Sequence, residues 1–553
     1  MQTPPAWLSP LPDAAAMRAS DRWAIEQQGV PGLELMERAG AGLVRAVERI
    51  APDGPVTVVC GKGNNGGDGL VAARLLRDAA REVTVVCIAP ADELSADARE
   101  NLKRLPGEPP VMLESLARSA PAALAPRAPD EHESSPARSA RPAAVVDALL
   151  GTGFEGVPRG ATAQAIEAIN ANGAPVVSVD VPSGVDASTG TVSGVAVRAT
   201  ATVTFHAPKP GLWINPGKSH AGDVETVDIG IPRGAPATAT TVGLLKPSIL
   251  DLPPRRQRGS TKFTSGHVLV AGGSRDLMGA PRMAAHASMR AGAGYVTACV
   301  PASLQAIIAT AAPAELMTRG LPDDGGALLG DGAGAVLELA ARGGALVLGP
   351  GLGRSEGAGA FARELARSAE LPLVLDADGL NAHAGRASEL AARRAATVLT
   401  PHAGELARLL ELEHEEVDRE RLRYARAASE RTHAVVVLKG DDSLIAEPGG
   451  QVAVSPGGSP ALATAGTGDV LSGVIAALLA QGMEAFAAAA AGVWLHVLAG
   501  REAARRQGAA EGVLAGDVIA ALPAVRTPDR GAGEPEPARG ADPGAPGGGA
   551  DRR

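Results

Sequence analysis

The stretch PVTVVCGKGNNGGDG, residues 55–69, joins an apolar run to a glycine-rich turn and then to the apolar helix pattern GLVAARLLRDA. An apolar run of this length between turn residues predicts a strand that is buried on both faces. The glycines allow a sharp turn, and the first amides of the following helix can face a phosphate group at the positive end of the helix dipole. The stretch therefore predicts the first strand, turn and helix of an α/β domain with an anion-binding corner.

The alternation of strands and helices continues on both sides of this stretch. Residues 33–50 place apolar side chains on one face of a helix. The runs EVTVVCIA (82–89), AAVVDALL (143–150) and PVVSVD (175–180) predict buried strands, and AQAIEAINA (163–171) predicts a helix. Continuous apolar strands between helices are typical of a parallel sheet with both faces covered, so the first half of the chain predicts a doubly wound domain.

The length of 553 residues exceeds what one hydrophobic core supports, so the chain predicts two domains. A second α/β unit starts near GHVLVAGG (266–273). The predicted boundaries are 1–232 for the first domain, 233–247 for a linker, 248–525 for the second domain and 526–553 for a disordered tail. The Pro-, Ala- and Arg-rich residues 106–142 predict a flexible surface insertion.

The composition excludes several classes of protein. A net charge of −9 argues against nucleic acid as a partner, because binding a phosphate backbone needs clustered cations. The three cysteines, with Cys60 and Cys87 in apolar runs, argue against a disulfide framework or a thiolate metal cage and are interpreted as core residues. The sequence starts with no signal-peptide pattern and has no membrane-spanning apolar run, so we expect a cytoplasmic protein without a membrane partner.

The dinucleotide-binding pattern G-x-G-x-x-G occurs twice, at residues 61–66 and 151–156. In an NAD-dependent oxidoreductase, an acidic residue about 20 positions further on would bind the ribose. Cys87 stands near that position after the first match, whereas Asp180 lies at a suitable distance from the second. The oxidoreductase alternative therefore stays open on these residues alone.

Further motifs follow in order: NNGGDG (64–69), DALLGTGF (147–154), SVDVPSGVDASTG (178–190) and TVTFHAPKPG (202–211). Together with MRASDRWAIEQQGVPGLELMERAG (17–40), they resemble the NAD(P)H-hydrate epimerase family over residues 1 to about 232. The resemblance implies a Rossmann-like domain in which Asn65, Asp147 and Ser183 contribute ligands to K⁺ and Asp180 lies at the reacting nicotinamide. It implies that the substrate's phosphates and ribose are bound by Asn64, Asn65, Gly66, Gly67, Asp68, Gly151, Thr152, Gly153, Phe154, Glu155, Gly156 and Val157.

Asp180 follows a buried strand, at the end where ligands of parallel sheets bind. There it could exchange a proton as a hydroxyl group leaves the hydrated ring and returns on the other face, and one carboxyl could serve both directions. The alternative is that Asp180 caps the following Pro-Ser-Gly turn. Lys209, in HAPKPG, could be a phosphate partner, but it is interpreted as an exposed, solvated lysine and is left out of the site.

The segment GTGD (466–469) comes immediately before a strongly apolar helix pattern. Amides at such a helix start favour negative charge, and Asp469 beside them could take a proton from an attacking hydroxyl in phosphoryl transfer. The alternative is that Asp469 is an N-cap residue.

Residues 248 to about 525 resemble the ADP/ATP-dependent NAD(P)H-hydrate dehydratase family through MGAPRMAAHASMRAGAGYVT, VLGPGLG, VLDADGLNA, LTPHAGELARLL, VLKG and GSPALATAGTGDVLSG. The resemblance implies a ribokinase-like α/β fold, in which Asp469 activates the substrate hydroxyl and Mg²⁺ bridges the phosphates of ADP. It implies a hydrate site lined by Ala280, Gly353, His402 and Asp469, and a nucleotide site formed by Lys439, Gly440, Asp441, Asp442, Ser443 and Gly468.

The two resemblances together imply repair of hydrated nicotinamide cofactors: epimerisation of the R and S hydrates of NAD(P)H, then ADP-dependent dehydration of the S form. The two-domain form implies ADP rather than ATP, and the resemblance suggests a homo-oligomer. Asp441 and Asp442 depart from the family pattern, because small residues are common there, and they put the affinity for nucleotide in question. The alternatives are a sugar or vitamin kinase, an oxidoreductase and a non-catalytic binding protein.

Overall fold

The computed structural model describes residues 4–113, 141–236 and 240–526. Within these residues the chain forms one sheet of seven strands, one of eleven and a small one of two. Both large sheets are covered by helices on both faces, so the prediction of two α/β domains is confirmed.

The first half provides the seven-stranded sheet and its helices. In chain order its elements are β1 (Leu8–Pro10), α1 (Ala14–Glu26), α2 (Gly32–Ile50), β2 (Val56–Cys60), α3 (Asn64–Asp78), β3 (Val83–Cys87), α4 (Ala96–Lys103), β4 (Val111–Met112), β5 (Ala144–Ala148), α5 (Gly160–Asn172), β6 (Val176–Val179), β7 (Ala201–Phe205), α6 (Lys218–Ala221) and β8 (Asp223–Val227).

The first sheet has the order β4-β3-β2-β5-β6-β7-β8, and its neighbouring strands are parallel. The helices α2 and α3 bury Leu43 and Leu70 on one face, and α5 buries Ile166 on the other. The doubly wound prediction is therefore confirmed. The chain builds outward from β2 to β4 and then returns to β5 beside β2, and such a reversal of strand order opens a crevice where ligands bind.

The second half provides most of the eleven-stranded sheet. In chain order its elements are β9 (Val242–Leu245), β10 (His267–Ala271), α7 (Gly279–Arg290), β11 (Tyr295–Pro301), α8 (Gln305–Thr310), β12 (Met317–Leu321), β13 (Asp323–Asp324), β14 (Ala327–Leu328), α9 (Ala333–Ala340), β15 (Ala345–Leu348), α10 (Glu356–Ser368), β16 (Leu373–Leu375), α11 (Asp378–Asn381), α12 (Ala387–Leu390), β17 (Thr397–Leu399), α13 (Ala403–Leu410), α14 (His414–Arg419), α15 (Arg421–Thr432), β18 (Val435–Leu438), β19 (Leu444–Ala446), β20 (Val452–Val454), α16 (Thr467–Ala480), α17 (Ala485–Gln507) and α18 (Ala515–Val525).

The second sheet has the order β1-β9-β20-β19-β18-β17-β16-β15-β10-β11-β12 and is parallel from β18 to β12. The helices α7, α16, α17 and α18 pack on one face, and α9, α10, α13 and α15 pack on the other. The helices α7 and α16 approach so closely that a side chain at Gly473 would overlap the carbonyl oxygen of Ala284. This packing brings the start of α16 next to α7.

The predicted linker 233–247 is wrong at residues 242–245. These residues form β9, which pairs with β20, and β1 from the N-terminal segment pairs with β9 in turn. Both strands are short, and their apolar pattern is completed only by pairing with residues far away in the sequence, so local periodicity did not reveal them. The N-terminal segment and the predicted linker therefore belong to the second sheet.

The predicted insertion 106–142 begins too early, because β4 lies inside it and pairs with β3. Residues 114–140 of the insertion, and residues 527–553 of the predicted tail, lie outside the described residues. Cys60, Cys87 and Cys299 are buried, as core residues should be. No helix in the described part of the chain is long and apolar enough to cross a membrane.

Candidate active sites

A cavity of about 630 Å³ lies at the carboxyl ends of β2 and β5, where the strand order of the first sheet reverses. The predicted substrate residues that line it are Asn64, Asn65, Asp68, Gly151, Thr152, Gly153, Phe154, Glu155 and Asp180. Four others, Gly66, Gly67, Gly156 and Val157, are not among its lining residues. The structure thus gathers most of the predicted side chains around one crevice.

Gly66 and Gly67 act through the backbone. A side chain at Gly66 would overlap the carbonyl oxygen of Gly61, and one at Gly67 would lie 2.7 Å from the sulfur of Met36. The helix α3 starts after Gly63 without a side-chain cap, so its first amides are available to an anion. The two glycines therefore allow the backbone of the turn to pack closely at the start of α3.

We expect Gly66→Ala to destabilise the first domain by about 1–3 kcal/mol, because the new methyl group would clash with backbone that cannot move aside. Gly63→Ala is the matched control, since no atom lies within 4 Å of a side chain there. Thermal unfolding of both full-length variants tests this expectation. Equal melting temperatures for the two would contradict it.

Asp180 follows β6 with a φ of 66°, a left-handed conformation that aspartate adopts more readily than most residues. Its carboxylate accepts hydrogen bonds from the Thr152 amide at 3.0 Å, from the Thr152 hydroxyl and from Lys209 Nζ at 2.6 Å. Thr152 lies in residues 149–159, which follow β5 and which we call the β5 loop, and Lys209 lies in the segment after β7. The geometry therefore favours a site residue over a cap of the Pro-Ser-Gly turn.

The interpretation of Lys209 as exposed and solvated is wrong. Its side chain is 1% exposed, and its ammonium donates to Asp180 Oδ1, to Thr204 Oγ1 at 2.8 Å and to the Phe205 carbonyl at 2.9 Å. A buried ammonium requires such partners, because an unpaired charge is costly away from water. The sequence signal was the position of Lys209 in a matched motif after β7, and it was discounted because most lysines are exposed.

Two of the other carboxyl groups that line the cavity have raised pKa values, namely Asp68 and Asp21 of α1. Burial raises the pKa of Asp21 to about 6, and the charge of Asp180 adds to the rise while Lys209 opposes it. Burial, helped by the charges of Asp180 and Asp21, also raises the pKa of Asp68 well above its ordinary value. Asp21 was not predicted as a site residue, because its helix joins the cavity only through tertiary packing.

The pKa of Asp180 shifts in the opposite direction. Burial alone would raise the pKa of Asp180, but the charge and hydrogen bond of Lys209 and the hydrogen bonds of Thr152 outweigh it, and the pKa is lowered. The cavity therefore combines a carboxyl group whose pKa is lowered with two carboxyl groups whose pKa values are raised.

Asn65, Asp147 and Ser183, the predicted K⁺ ligands, lie together behind the β5 loop. Asp147 Oδ1 accepts from Ser183 Oγ at 2.6 Å, and Asp147 Oδ2 accepts from the Ser183 amide at 2.9 Å. Asn65 Nδ2 donates to the Leu150 carbonyl at 2.9 Å, and Ser183 Oγ lies 3.3 Å from the same oxygen. These groups offer only oxygen ligands from amide, hydroxyl, carboxylate and carbonyl, the donor set that a hard cation prefers.

Asp469 is the third residue of α16, whose N-cap is Gly466 with a φ of 90°. Since Gly466 holds the cap position, the N-cap alternative for Asp469 is wrong. Burial and the charge of Asp376 raise the pKa of Asp469 to about 7, against the opposing charge of Lys439. A carboxyl with this pKa can take up a proton near neutral pH, as a general base must.

Lys439, at the end of β18, lies beside this helix start. Its ammonium is 3.0 Å from Asp376 Oδ1 and 3.6 Å from Glu405 Oε2. Burial lowers the pKa of Lys439, but the charges of Asp376 and Glu405 outweigh burial and raise it, so the ammonium stays charged. Asp376 is 1% exposed and accepts a hydrogen bond from Ser472 of α16. Asp376 and Glu405 lie in the motifs VLDADGLNA and LTPHAGELARLL, but neither residue was predicted to belong to the site.

The predicted hydrate residues lie around the same region. His402 is the N-cap of α13, where its Nδ1 accepts from the Gly404 amide at 3.1 Å. The Gly353 amide donates to Asp378 Oδ2 at 2.9 Å, beside a second cavity of about 330 Å³. Ala280 lies on α7 beside Gly351, one turn before the Met283 that packs against Gly466. His402 therefore has a structural role in addition to its predicted place in the site.

The predicted nucleotide-binding residues 439–443, which we call the nucleotide loop, form a tight turn. Ser443 Oγ donates to the Gly440 carbonyl at 2.8 Å, and Lys439 Nζ lies 3.6 Å from the point where a Gly468 side chain would start. The carboxylates of Asp441 and Asp442 have different partners. Asp442 is 1% exposed and accepts from Arg421 Nε at 3.0 Å, and Asp441 pairs with Lys218. Both carboxylates are thus engaged by other parts of the protein.

Comparisons with known proteins match both halves of the chain. A family model described as NAD(P)H-hydrate dehydratase matches residues 268–524, and one described as YjeF-related protein N-terminus matches residues 32–211. The bifunctional NAD(P)H-hydrate repair enzyme of Moorella thermoacetica is 40% identical, over 93% of this chain and 96% of its own length. That of Salinibacter ruber is 42% identical, with the same two shares.

Among solved structures, the ADP/ATP-dependent NAD(P)H-hydrate dehydratase of Bacillus subtilis, co-crystallised with ATP and Mg²⁺, is 29% identical. The match covers 50% of this chain and 94% of that one, with a TM-score of 0.43.

The two repair enzymes, in contrast, match along nearly the whole chain. Their matches include both large sheets, the cavity of the first sheet and the start of α16 in the second. The chain therefore belongs to the family of bifunctional NAD(P)H-hydrate repair enzymes.

Proposed function

We propose that the chain repairs hydrated nicotinamide cofactors. The first domain interconverts the R and S hydrates of NAD(P)H, and the second uses ADP to dehydrate the S form, giving NAD(P)H, AMP and phosphate. The observation that carries this proposal is Asp469 at the start of α16, with a pKa of about 7 and with the Lys439 ammonium beside the same helix end. This arrangement combines a base with an anion-binding site, as phosphoryl transfer requires.

In the dehydratase site, Asp469 takes the proton from the hydroxyl of the hydrate as the hydroxyl oxygen attacks the terminal phosphoryl group of ADP. AMP leaves, and the ring now carries a phosphate ester in place of the hydroxyl. The lone pair of the ring nitrogen then expels phosphate, and loss of a proton from the neighbouring carbon restores the dihydropyridine. The amides of α16 and Lys439 stabilise the negative charge during the transfer.

In the epimerase site, the hydroxyl must leave one face of the ring as water and return on the other. The lowered pKa of Asp180 keeps it ionised in the resting site, so it is free to accept a proton but holds none to give to the leaving hydroxyl. The idea that one carboxyl serves both directions is therefore revised. We assign Asp180 as the base that takes a proton from the returning water and Asp21 as the donor to the leaving hydroxyl, because Asp21 faces the same cavity with a pKa of about 6. Exchange with solvent then returns the proton from Asp180 to Asp21, so that each cycle ends in the starting protonation state.

The proposal includes two cations. K⁺ would be held by Asn65, Asp147 and Ser183, where it would fix the β5 loop that carries Thr152 against Asp180. Mg²⁺ bound to the nucleotide phosphates would neutralise charge at the dehydratase site. Omitting K⁺ should reduce epimerisation and leave the dehydration of purified S hydrate unchanged. Chelating Mg²⁺ should reduce dehydration and leave epimerisation unchanged.

We also propose that the protein is a homo-oligomer, as the family resemblance suggests, and that it is cytoplasmic. Light scattering on the purified full-length chain tests the oligomeric state directly.

Asp21→Asn should remove the dependence of the epimerisation rate on the protonation of this carboxyl group. In the unaltered protein, kcat/KM should fall about tenfold per pH unit above pH 6, because the donor Asp21 loses its proton with a pKa of about 6. The variant should be about 100-fold slower and should lack this pH dependence. Glu26→Gln, an exposed carboxyl on the same helix, is the control and should keep the normal profile. An unchanged profile in Asp21→Asn would refute the assignment.

A kinase on the same fold would leave a phosphorylated product, and this distinguishes the main alternative. With purified S hydrate and ADP, the proposal predicts equal amounts of AMP, orthophosphate and reduced cofactor. Accumulation of a phosphate ester without recovery of the cofactor's absorbance would favour the kinase instead.

A further inference from the structure

The nucleotide loop of the second domain is contacted by residues of the first. The backbone amide of Asn215 donates to Asp442 Oδ2 at 2.8 Å. Lys218 forms an ion pair with the carboxylate of Asp441 and donates to its carbonyl oxygen at 3.3 Å. We call residues 213–218, which carry both donors, the interdomain turn. Every contact named here joins groups more than 200 residues apart in the chain.

The interdomain turn is firmly anchored in the second domain. Ile214 is 0% exposed and belongs to the hydrophobic core on one face of the second sheet, together with Val242 of β9 and Leu444 of β19. Leu444 directly follows the nucleotide loop in the sequence. The side chain of Lys218 is only 17% exposed, which restricts its freedom to leave Asp441.

The contacts continue from the interdomain turn to the catalytic groups. Asp442 also accepts from Arg421 Nε, and Arg421 Nη2 donates to the Lys439 carbonyl at 3.1 Å. Asp441 Oδ1 accepts from the Gly458 amide at 2.8 Å, which ties the nucleotide loop to the segment before α16. Lys439 in turn reaches Asp376 beside Asp469. Hydrogen bonds and the side chain of Lys439 thus link the first domain to Asp376, whose charge acts on Asp469.

We propose that the interdomain turn of the epimerase domain positions the nucleotide loop of the dehydratase domain, so that affinity for ADP depends on the pairing of Lys218 with Asp441. This inference rests on the proposed function of the second domain. It explains why two acids occupy positions where small residues are common: they bind the other domain rather than the nucleotide. Lys218 and Asn215 are therefore positioning residues for the dehydratase site.

The test is a charge swap in the full-length protein. Lys218→Glu places a carboxylate against Asp441, and like charges in contact repel, so the KM for ADP should rise about tenfold while kcat stays within about twofold. Asp441→Lys should also raise this KM, and the double variant should recover most of the loss, because the swapped charges attract again. Lys103→Glu, at an exposed lysine of the first domain that pairs with Glu100, is the control for the change in charge.

Epimerase activity and the melting temperature are measured on every variant, so that loss of folding is recognised. A wild-type KM for ADP in Lys218→Glu, or a double variant no better than the worse single variant, would overturn the inference while leaving the proposed function intact. If the unaltered protein shows no ADP-dependent dehydration at all, the proposed function itself fails. Should Asp441→Lys not fold, ADP titration of Lys218→Glu and Lys218→Met decides: unchanged binding in both overturns the inference.

Discussion

Asp469→Asn is expected to abolish dehydration, with kcat reduced by about a thousandfold, and to leave epimerisation unchanged. The substitution keeps the size and hydrogen-bonding capacity of the side chain but removes the group that takes the proton, and a general base typically contributes about 10²–10⁴ to the rate. Stopped assays of S hydrate with saturating ADP measure this effect. The first domain's activity in the same sample shows that the chain has folded.

The pH dependence gives the same prediction a second readout. Because Asp469 must be ionised to act, kcat/KM for dehydration should fall about tenfold per pH unit below its pKa of about 7 and level off above it. Asp517→Asn is the matched control, since Asp517 is also the third residue of a helix, α18, and its carboxylate accepts from the Leu514 amide. That variant should lose some stability and no catalysis. Dehydration above a tenth of the normal rate in Asp469→Asn would rule out the assigned base.

Lys209→Met is expected to damage both the stability of the first domain and its activity. Removing the cation leaves Asp180 buried without its partner, and breaking a buried ion pair on one side costs about 3–5 kcal/mol. Without Lys209, burial would raise the pKa of Asp180 above its unfolded value. The loss of stability should therefore grow as the pH rises through that pKa and shrink at low pH, where Asp180 takes up a proton. Epimerisation should fall at least about 100-fold, because Asp180 no longer stays ionised.

The double variant Lys209→Met with Asp180→Asn separates the two effects. It removes both charges, so stability should largely recover, whereas epimerase activity should not. Lys62→Met is the control, because Lys62 lines the same cavity but is largely exposed and should leave the melting temperature unchanged. Denaturant unfolding of all four proteins across pH measures the result. A Lys209→Met protein as stable as the unaltered chain would show that the pair does not hold the site together.

Local patterns in the sequence predicted the elements that form the sites. The apolar run before Gly61 is β2, the helix pattern after it is α3, and the apolar helix after GTGD is α16. These predictions were confirmed because buried strands of a parallel sheet and glycine-rich turns have a strong local signal. Asp180 and Asp469 follow from the same signal, because each stands where an element ends or begins.

What the sequence did not reveal depends on contacts between distant residues. The burial of Lys209 is created by Asp180 and by the end of β7, and nothing adjacent to Lys209 indicates it. Asp21 reaches the cavity only because α1 packs over it. The strands β1 and β9 become strands by pairing with each other and with β20. In each case local propensity was overruled by tertiary structure.

The acids of the nucleotide loop show how a departure from a family pattern can be informative. From sequence, Asp441 and Asp442 only weakened the expectation of nucleotide binding. In the structure both carboxylates bind the first domain, and Asp442 is shared with Arg421. The departure therefore identifies a contact between domains rather than a defect in the site.

Repair by both domains is tested by the recovery of reduced-cofactor absorbance from a mixture of R and S hydrates, with ADP, Mg²⁺ and K⁺, in the unaltered protein and in Asp180→Ala. The unaltered protein should convert both epimers promptly to the reduced cofactor. Asp180→Ala should recover the S half at the normal rate and leave the R half, apart from slow spontaneous epimerisation. Absence of any recovery in the unaltered protein with either ADP or ATP, or equally fast recovery of both halves by Asp180→Ala, would contradict this prediction.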